Sequence, residues 1–223
     1  YGPNPNSTMD RINEFPNISV YGNHDIVACE VNAPTNFNLY AYTVIMWTRK
    51  VLTQKNKNLL ANLPYPHIQG DFCFSHGNHE SCEEYVMSKD AAIPIFKFLK
   101  SKNNGAEKGP SFCFIGHTHY PIIYKVAKTQ VEEDNFEEMT QFHPEEYPHE
   151  FTLDLDYYYV TNIGSVGQPR DHDPRSSYTV LDTRDGAYKI SMRRLEYNIR
   201  NTQETMEEFG LPAPMINRLS KGI

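Results

Sequence analysis

Short apolar runs rich in β-branched and aromatic residues recur along the chain at Ile18 to Tyr21, Phe72 to Ser75, Phe112 to Ile115 and Tyr157 to Thr161. Runs of this length, bounded by polar and turn-forming residues, read as buried strands. Between them the apolar positions fall three and four apart, the spacing of one helix face. Phe37 to Val51 shows that spacing. Thr53 stands where it can cap a helix over Gln54 to Asn62 that Pro64 stops, and Ser88 or Asp90 opens another through Ile93, Phe96 and Leu99, with Pro94 in its first turn. Strands alternating with helices predict an α/β domain with a central, partly parallel sheet. Beyond Pro121 the pattern changes to strands with little helix between them: Ile122 to Ala127, Tyr157 to Thr161, Tyr178 to Asp182 and Tyr188 to Leu195. That half is expected to pair antiparallel or in mixed fashion. Two short helices, Thr202 to Phe209 and Pro214 to Leu219, flank the turn Gly210-Leu211-Pro212.

Composition narrows this picture. A chain of 223 residues, 39% of them apolar, is enough for one domain with a single sizeable core. It has no uninterrupted apolar stretch near the roughly 20 residues that span a bilayer, so no membrane partner is expected. Cys29, Cys73, Cys82 and Cys113 form no C-x-x-C pair, which argues against a disulfide framework or a thiolate zinc site and for a reducing, cytoplasmic setting. The net charge of −7 is uneven: ten acids and no Lys or Arg fall between Thr129 and Pro169, against 21 bases and 18 acids elsewhere. Bulk nucleic acid, which needs clustered cations, is therefore not an expected partner. A mildly basic body does suit a small anionic substrate. Residues 129–150 form an acidic, proline-punctuated excursion, expected to be a hairpin extension or a mobile loop.

The chemistry gathers at strand ends. Gly22-Asn23-His24-Asp25, His76-Gly77-Asn78-His79 and Gly116-His117-Thr118-His119 each follow directly on a predicted strand. In open α/β sheets, ligands bind outside the carboxyl ends of the strands, so the three clusters are expected to converge on one site. A fourth strand ends in Asn162-Ile163-Gly164-Ser165-Val166-Gly167, whose glycines let backbone N–H groups approach an anion. On an extended segment His117 and His119 would point to the same side and could ligate one metal or two adjacent ones. Nitrogen donors with an amide oxygen suit Mn, Fe or Zn. Two such metals activate a water and clamp phosphoryl oxygens during in-line displacement. His24 then fits the acid that protonates the leaving alkoxide, with Asp25 orienting its ring. Arg170 is placed to reach a substrate phosphate, or else to pair with Asp171 or Asp173.

The order Gly-Asn-His-Asp, His-Gly, Gly-His-x-His resembles the calcineurin-like metallophosphoesterases. With Tyr1-Gly2-Pro3-Asn4-Pro5-Asn6, Trp47-Thr48-Arg49, Leu63-Pro64 and Asn162-Ile163-Gly164-Ser165-Val166-Gly167-Gln168-Pro169-Arg170-Asp171, it is similar to their compact bacterial and archaeal branch of phosphodiesterases and diadenosine-tetraphosphatase-like proteins. The resemblance spans nearly the whole chain apart from the acidic excursion. It implies a four-layer αββα sandwich of two mixed sheets flanked by helices, and a hydrolase of phosphomono- or phosphodiesters with a dinuclear centre, manganese foremost. It also implies that Asn23, His76 and His117 bind one metal and His119 the other, with His24 and Asp25 catalytic and Gly164, Ser165 and Arg170 contacting substrate. Asn78 and His79 depart from the small residue and proline that relatives carry after His-Gly. The family's Asp-x-His and Gly-Asp motifs precede the segment that Tyr1 to Asn6 resembles. On this reading residues 1–223 are a single domain lacking its first two strands, expected to bind at most one metal weakly and to hydrolyse little. The rivals are a dinucleoside polyphosphate hydrolase, a non-catalytic scaffold that keeps the fold, and a single-metal H-x-H enzyme such as an oxygenase.

Overall fold

The computed structural model describes residues 1–15, 17–29, 37–103 and 109–223. Three parallel strands form its centre: β2 (Phe72–Phe74), β3 (Phe112–Ile115) and β7 (Tyr157–Asn162). β1 (His67–Gln69) adds antiparallel to the β2 edge, and β4 (Ile122–Ala127) then β5 (Thr140–Phe142) extend the far side antiparallel, in the order β1-β2-β3-β7-β4-β5. A second sheet, antiparallel throughout, runs β6-β9-β8 from β6 (His149–Leu153), β8 (Ser176–Asp182) and β9 (Tyr188–Leu195). The α/β, two-sheet architecture is the one the sequence predicts.

Side-chain alternation explains the stacking, because successive residues of a strand face opposite sides. From β3, Cys113 and Ile115 join Tyr124, Val126, Tyr158 and Val160 under α5 (Lys89–Lys102), which contributes Ala92, Ile95, Phe96 and Leu99. Phe112 and Phe114 face the other way and pack with Ile123 and Tyr159 against Leu153, Ile190 and Met192 of the second sheet. The helices are unevenly shared between the sheets. The outward face of the smaller sheet carries Glu150, Lys189, Arg193 and an exposed Val180, whereas the remaining long helices gather in two clusters around Val44, Met206 and Ile216, and around Ile45, Leu52 and Leu60.

Several local expectations hold. Thr53 accepts from the Asn56 N–H and opens α4 (Gln54–Ala61), Ser88 accepts from the Ala91 N–H and opens α5, and Asn38 caps α3 (Leu39–Val51). Pro94 lies one turn deeper in α5 than expected; the Asp90 carbonyl it deprives of a partner is exposed, so water can serve it. Asn17 to Tyr21 is not a strand, and Ile18 is 46% exposed. Strand conformation is held by ladder hydrogen bonds, and this segment makes none among the described residues.

The acidic excursion is built into the fold. α6 (Lys128–Glu132) and β5 lie within it, Val131 and Met139 are buried in the α5 core, and Lys97 and Lys100 of α5 pair with Asp134 and Glu132. Its hairpin character shows in β5, which returns antiparallel along β4. α7 (Ile199–Glu208) and α8 (Ala213–Asn217) meet at the predicted turn, where Gly210 is left-handed.

Candidate active site

The parallel strands β2, β3 and β7 deliver His76, the His117–His119 segment and the Asn162 loop to one end of the sheet. α2 (Asn23–Cys29) brings Asn23, His24 and Asp25 to the same place on its first turn. A cavity of about 680 Å³ opens there, lined by Asn23, His24, Asp25, His76, His117, His119 and Arg170 among others. The convergence expected at the strand ends therefore occurs. Gly22 makes it possible: its carbonyl receives the Asp25 and Ile26 N–H groups that start α2, and a Cβ on it would sit 2.9 to 3.0 Å from the His76 ring.

The H-x-H geometry differs from the expected extended one. His117 and His119 both adopt left-handed backbone, at φ 65° and 62°, a conformation costly for residues with a Cβ and held only where surroundings enforce it. Asn162 supplies the enforcement. Fully buried, it donates to the Gly116 carbonyl and to Thr118 Oγ1 at 2.9 Å, and its Oδ1 accepts from the Gly164 N–H at 3.0 Å. No local pattern in the sequence marks that tie, because it joins residues 44 or more apart.

His117 and His119 are each held by one ring nitrogen on a backbone carbonyl. His117 Nε2 faces the Glu83 carbonyl at 3.1 Å and Tyr85 stacks on its ring at 4.0 Å, which leaves Nδ1 facing His76 Nε2 at 3.1 Å. His119 Nδ1 faces the Gln168 carbonyl at 2.6 Å, which leaves Nε2 as the lone-pair nitrogen. A backbone carbonyl on the remote N–H is how metal-binding imidazoles are fixed in one tautomer. Burial keeps these rings neutral, with His76 lowered to about 4, His119 to about 3, and His117 lowered as well.

Asn23 Oδ1 is buried and has no hydrogen-bond partner among the described residues, an uncommon state for an amide oxygen. A cation would satisfy it, and the facing His76 and His117 nitrogens line the same cavity. No three His, Cys, Asp or Glu side chains among the described residues are grouped to hold an ion by themselves; the Asn23 amide oxygen is a further polar group in the cavity beside His76 and His117. These residues fit one divalent transition metal; of the second metal's expected set, His119 is present.

Other expected roles change. Asp25 does not orient His24; its Oδ2 accepts from the Gly22 N–H at 2.7 Å, and burial raises its pKa. Two aromatic edges hold His24 instead, Tyr1 at 4.4 Å and Phe37 at 4.7 Å. Burial lowers the His24 pKa to about 3. Gly164 and Ser165 do not line the cavity: the Gly164 N–H is spent on Asn162 and Ser165 Oγ accepts from the Gln168 N–H at 3.1 Å. Their loop serves by presenting the Gln168 carbonyl to His119. Arg170 pairs with neither Asp171 nor Asp173, which are taken by Arg194 and Arg175; it lies over the Tyr1 ring in the cavity. Asn78 folds an Asx turn onto Glu80 and Ser81, and His79 stacks on Phe98 at 4.3 Å, so neither reaches the site. Tyr1, Tyr85 and Arg218 also line the cavity, and sequence pattern alone does not single out the last two.

Over its whole length the chain is 32% identical to an uncharacterized protein of Methanocaldococcus jannaschii, MJ0912, of which it spans 82%. A solved metallophosphoesterase from Sphaerobacter thermophilus superposes with a TM-score of 0.78 at 31% identity, all of this chain against 84% of that one. The chain belongs to the calcineurin-like metallophosphoesterase superfamily. Hypothetical protein PH1004 from Pyrococcus horikoshii shares the fold of this chain, with a TM-score of 0.70 at 12% identity over 81% of that chain. No family model matches this chain. Among its described residues no helix is long and apolar enough to cross a membrane.

Proposed function

We propose that the strand-end cavity hydrolyses phosphomono- or phosphodiesters, with Asn23, His76 and His117 holding one divalent transition metal and His119 serving a second. Manganese is the first candidate, and the mixed nitrogen and amide-oxygen set also accepts iron or zinc. The observation that carries the reading is the buried, unpartnered Asn23 Oδ1 in the same cavity as two facing neutral imidazoles. When bound, such metals supply an activated water and positive charge against the phosphoryl oxygens.

The chain's own residues do the rest. Arg170, without a carboxylate partner among the described residues, offers its guanidinium to a phosphate oxygen. His24, held between Tyr1 and Phe37, is neutral in the free site because burial penalises its charged form. A phosphate dianion beside it reverses that balance, so His24 takes its proton with substrate and can pass it to the leaving oxygen. Asp25 keeps the first turn of α2 in place through Gly22. The net charge of −7 favours a small phosphate ester over polymeric nucleic acid. We place the enzyme in a reducing, cytoplasmic setting, consistent with the unbridged thiols of Cys73, Cys82 and Cys113.

The test is His24→Ala with manganese present. Hydrolysis of p-nitrophenyl phosphate esters should fall by about 100-fold or more, the usual worth of an acid catalyst, with metal content retained. Activity equal to wild type removes His24 from the chemistry.

A further inference from the structure

Tyr65 precedes β1 and does not line the cavity, yet its hydroxyl meets the turn that carries His76. The Gly77 N–H donates to Tyr65 Oη at 3.2 Å, and the same hydroxyl donates to the Asn78 carbonyl. The planar His76–Gly77 peptide is thereby held at both edges, because its carbonyl accepts from the Gly116 N–H at 2.9 Å. Gly116 leads directly into His117, so one peptide plane sets the His76 backbone against the strand end that carries the facing ring. Ser75, buried beneath the turn, donates to the Gly77 carbonyl at 3.1 Å.

The turn continues into the support of His117. Asn78 Oδ1 accepts from the Glu80 and Ser81 N–H groups at 2.8 and 2.7 Å and folds the loop back on Gly77. A Cβ on Gly77 would meet the Ser81 and Glu84 carbonyl oxygens at 2.5 and 2.7 Å, so the return is tight. It brings the Glu83 carbonyl to His117 Nε2 and the Tyr85 ring onto the His117 face. On its other side Tyr65 stacks on Tyr21, with 4.8 Å between ring centroids and 25° between planes. Tyr21 leads directly into Gly22 and Asn23. Tyr65 therefore contacts the entry to the Asn23 motif and the turn after His76. A phenylalanine would serve the stack alone; only a hydroxyl can accept from Gly77 and donate to Asn78, two backbone groups that need partners when shielded from water.

We infer that Tyr65 is a positioning residue whose hydroxyl sets His76 Nε2 against His117 Nδ1, the pair that stands at 3.1 Å in the cavity. The purpose of that alignment rests on the metal reading above; the alignment itself does not.

Tyr65→Phe removes the hydroxyl and keeps the stack, and circular dichroism verifies that the variant is folded. In metal-free protein with nitrogen-labelled histidine, long-range proton–nitrogen spectra should show the His76 and His117 ring signals displaced and those of His24 and His119 in place. Calorimetry should show manganese affinity lower by about tenfold or more, the usual loss when a residue behind a metal ligand is removed. A tyrosine with a merely structural role would lower stability in urea and change neither readout. Tyr21→Leu, which removes the stack and keeps the hydroxyl, should displace the His76 and His117 signals less. Unmoved His76 and His117 signals in Tyr65→Phe overturn the proposal whatever the change in stability. Equal displacement of all four histidines, equal displacement by Tyr21→Leu, or manganese affinity equal to that of a metal-binding wild type overturns it as well. If wild type binds no manganese while the two signals move, the metal reading falls and the positioning role stands.

Discussion

Gly22→Ala isolates the contact that aligns the α2 motif with His76. The new Cβ would lie 2.9 to 3.0 Å from three atoms of the His76 ring, inside van der Waals contact. His76 cannot retreat freely, because its Nε2 faces His117 at 3.1 Å, and overpacking of this kind costs about 1–3 kcal/mol. Alanine is also a poorer helix N-cap than glycine, but it restricts the unfolded chain, and these smaller effects of about 0.5–1 kcal/mol oppose one another. Urea unfolding of metal-free protein at pH 7.5 should therefore show a loss of about 1–3 kcal/mol in the wild-type background and little loss in a His76→Ala background, where the ring is gone. The coupling should reach about 1 kcal/mol or more. Equal costs in the two backgrounds would refute the close approach, and with it the claim that Gly22 sets the position of His76.

Three further outcomes follow from the site and its supports. Metal-free protein should lose stability as pH falls from about 6.5, the unfolded histidine value, toward about 4. His24, His76 and His119 have folded values of about 3, 4 and 3, so the unfolded chain binds their protons first, each costing about 2 kcal/mol by pH 5. Asp25, raised by burial, partly offsets this as it protonates; urea melts between pH 7.5 and 5 check the sign, and a flat profile contradicts it. Arg194→Met should cost about 3–5 kcal/mol in thermal unfolding, because the side chain is fully buried and neutralises Asp171 and Asp173. Asn162→Ala should release the left-handed His117–His119 segment by removing three hydrogen bonds, lowering manganese affinity by about tenfold or more, the usual cost of losing a supporting residue behind a ligand.

What the sequence disclosed depended on where the information sits in the chain. Strand β3 and helices α4 and α5 were legible because apolar runs and the Thr53 and Ser88 caps act within a few residues. The clusters after β2, β3 and β7 were legible as a group because a parallel sheet puts the ends of its strands together, and the Asn23 cluster joins them from the first turn of α2. Ile18 to Tyr21 misled because its composition suits a strand while no ladder partner is present among the described residues. α2 was hidden by a motif that reads as a loop. The Gly164 loop shows the same limit: a glycine that can present its N–H to an anion can equally spend it within the loop, as Gly164 does on Asn162. Asn162 acts across long sequence separations, through its ties to Gly116 and Thr118, and no periodicity reports such contacts.

The measurement nearest the central claim is manganese binding followed together with hydrolysis of bis-p-nitrophenyl phosphate, for wild type, Asn23→Ala and His117→Ala. If Asn23 Oδ1 and the His76–His117 pair hold a catalytic metal, both substitutions should lower metal affinity and hydrolysis in parallel, each by about tenfold or more. Hydrolysis at wild-type level after either substitution, or metal binding undiminished by both, would contradict the account.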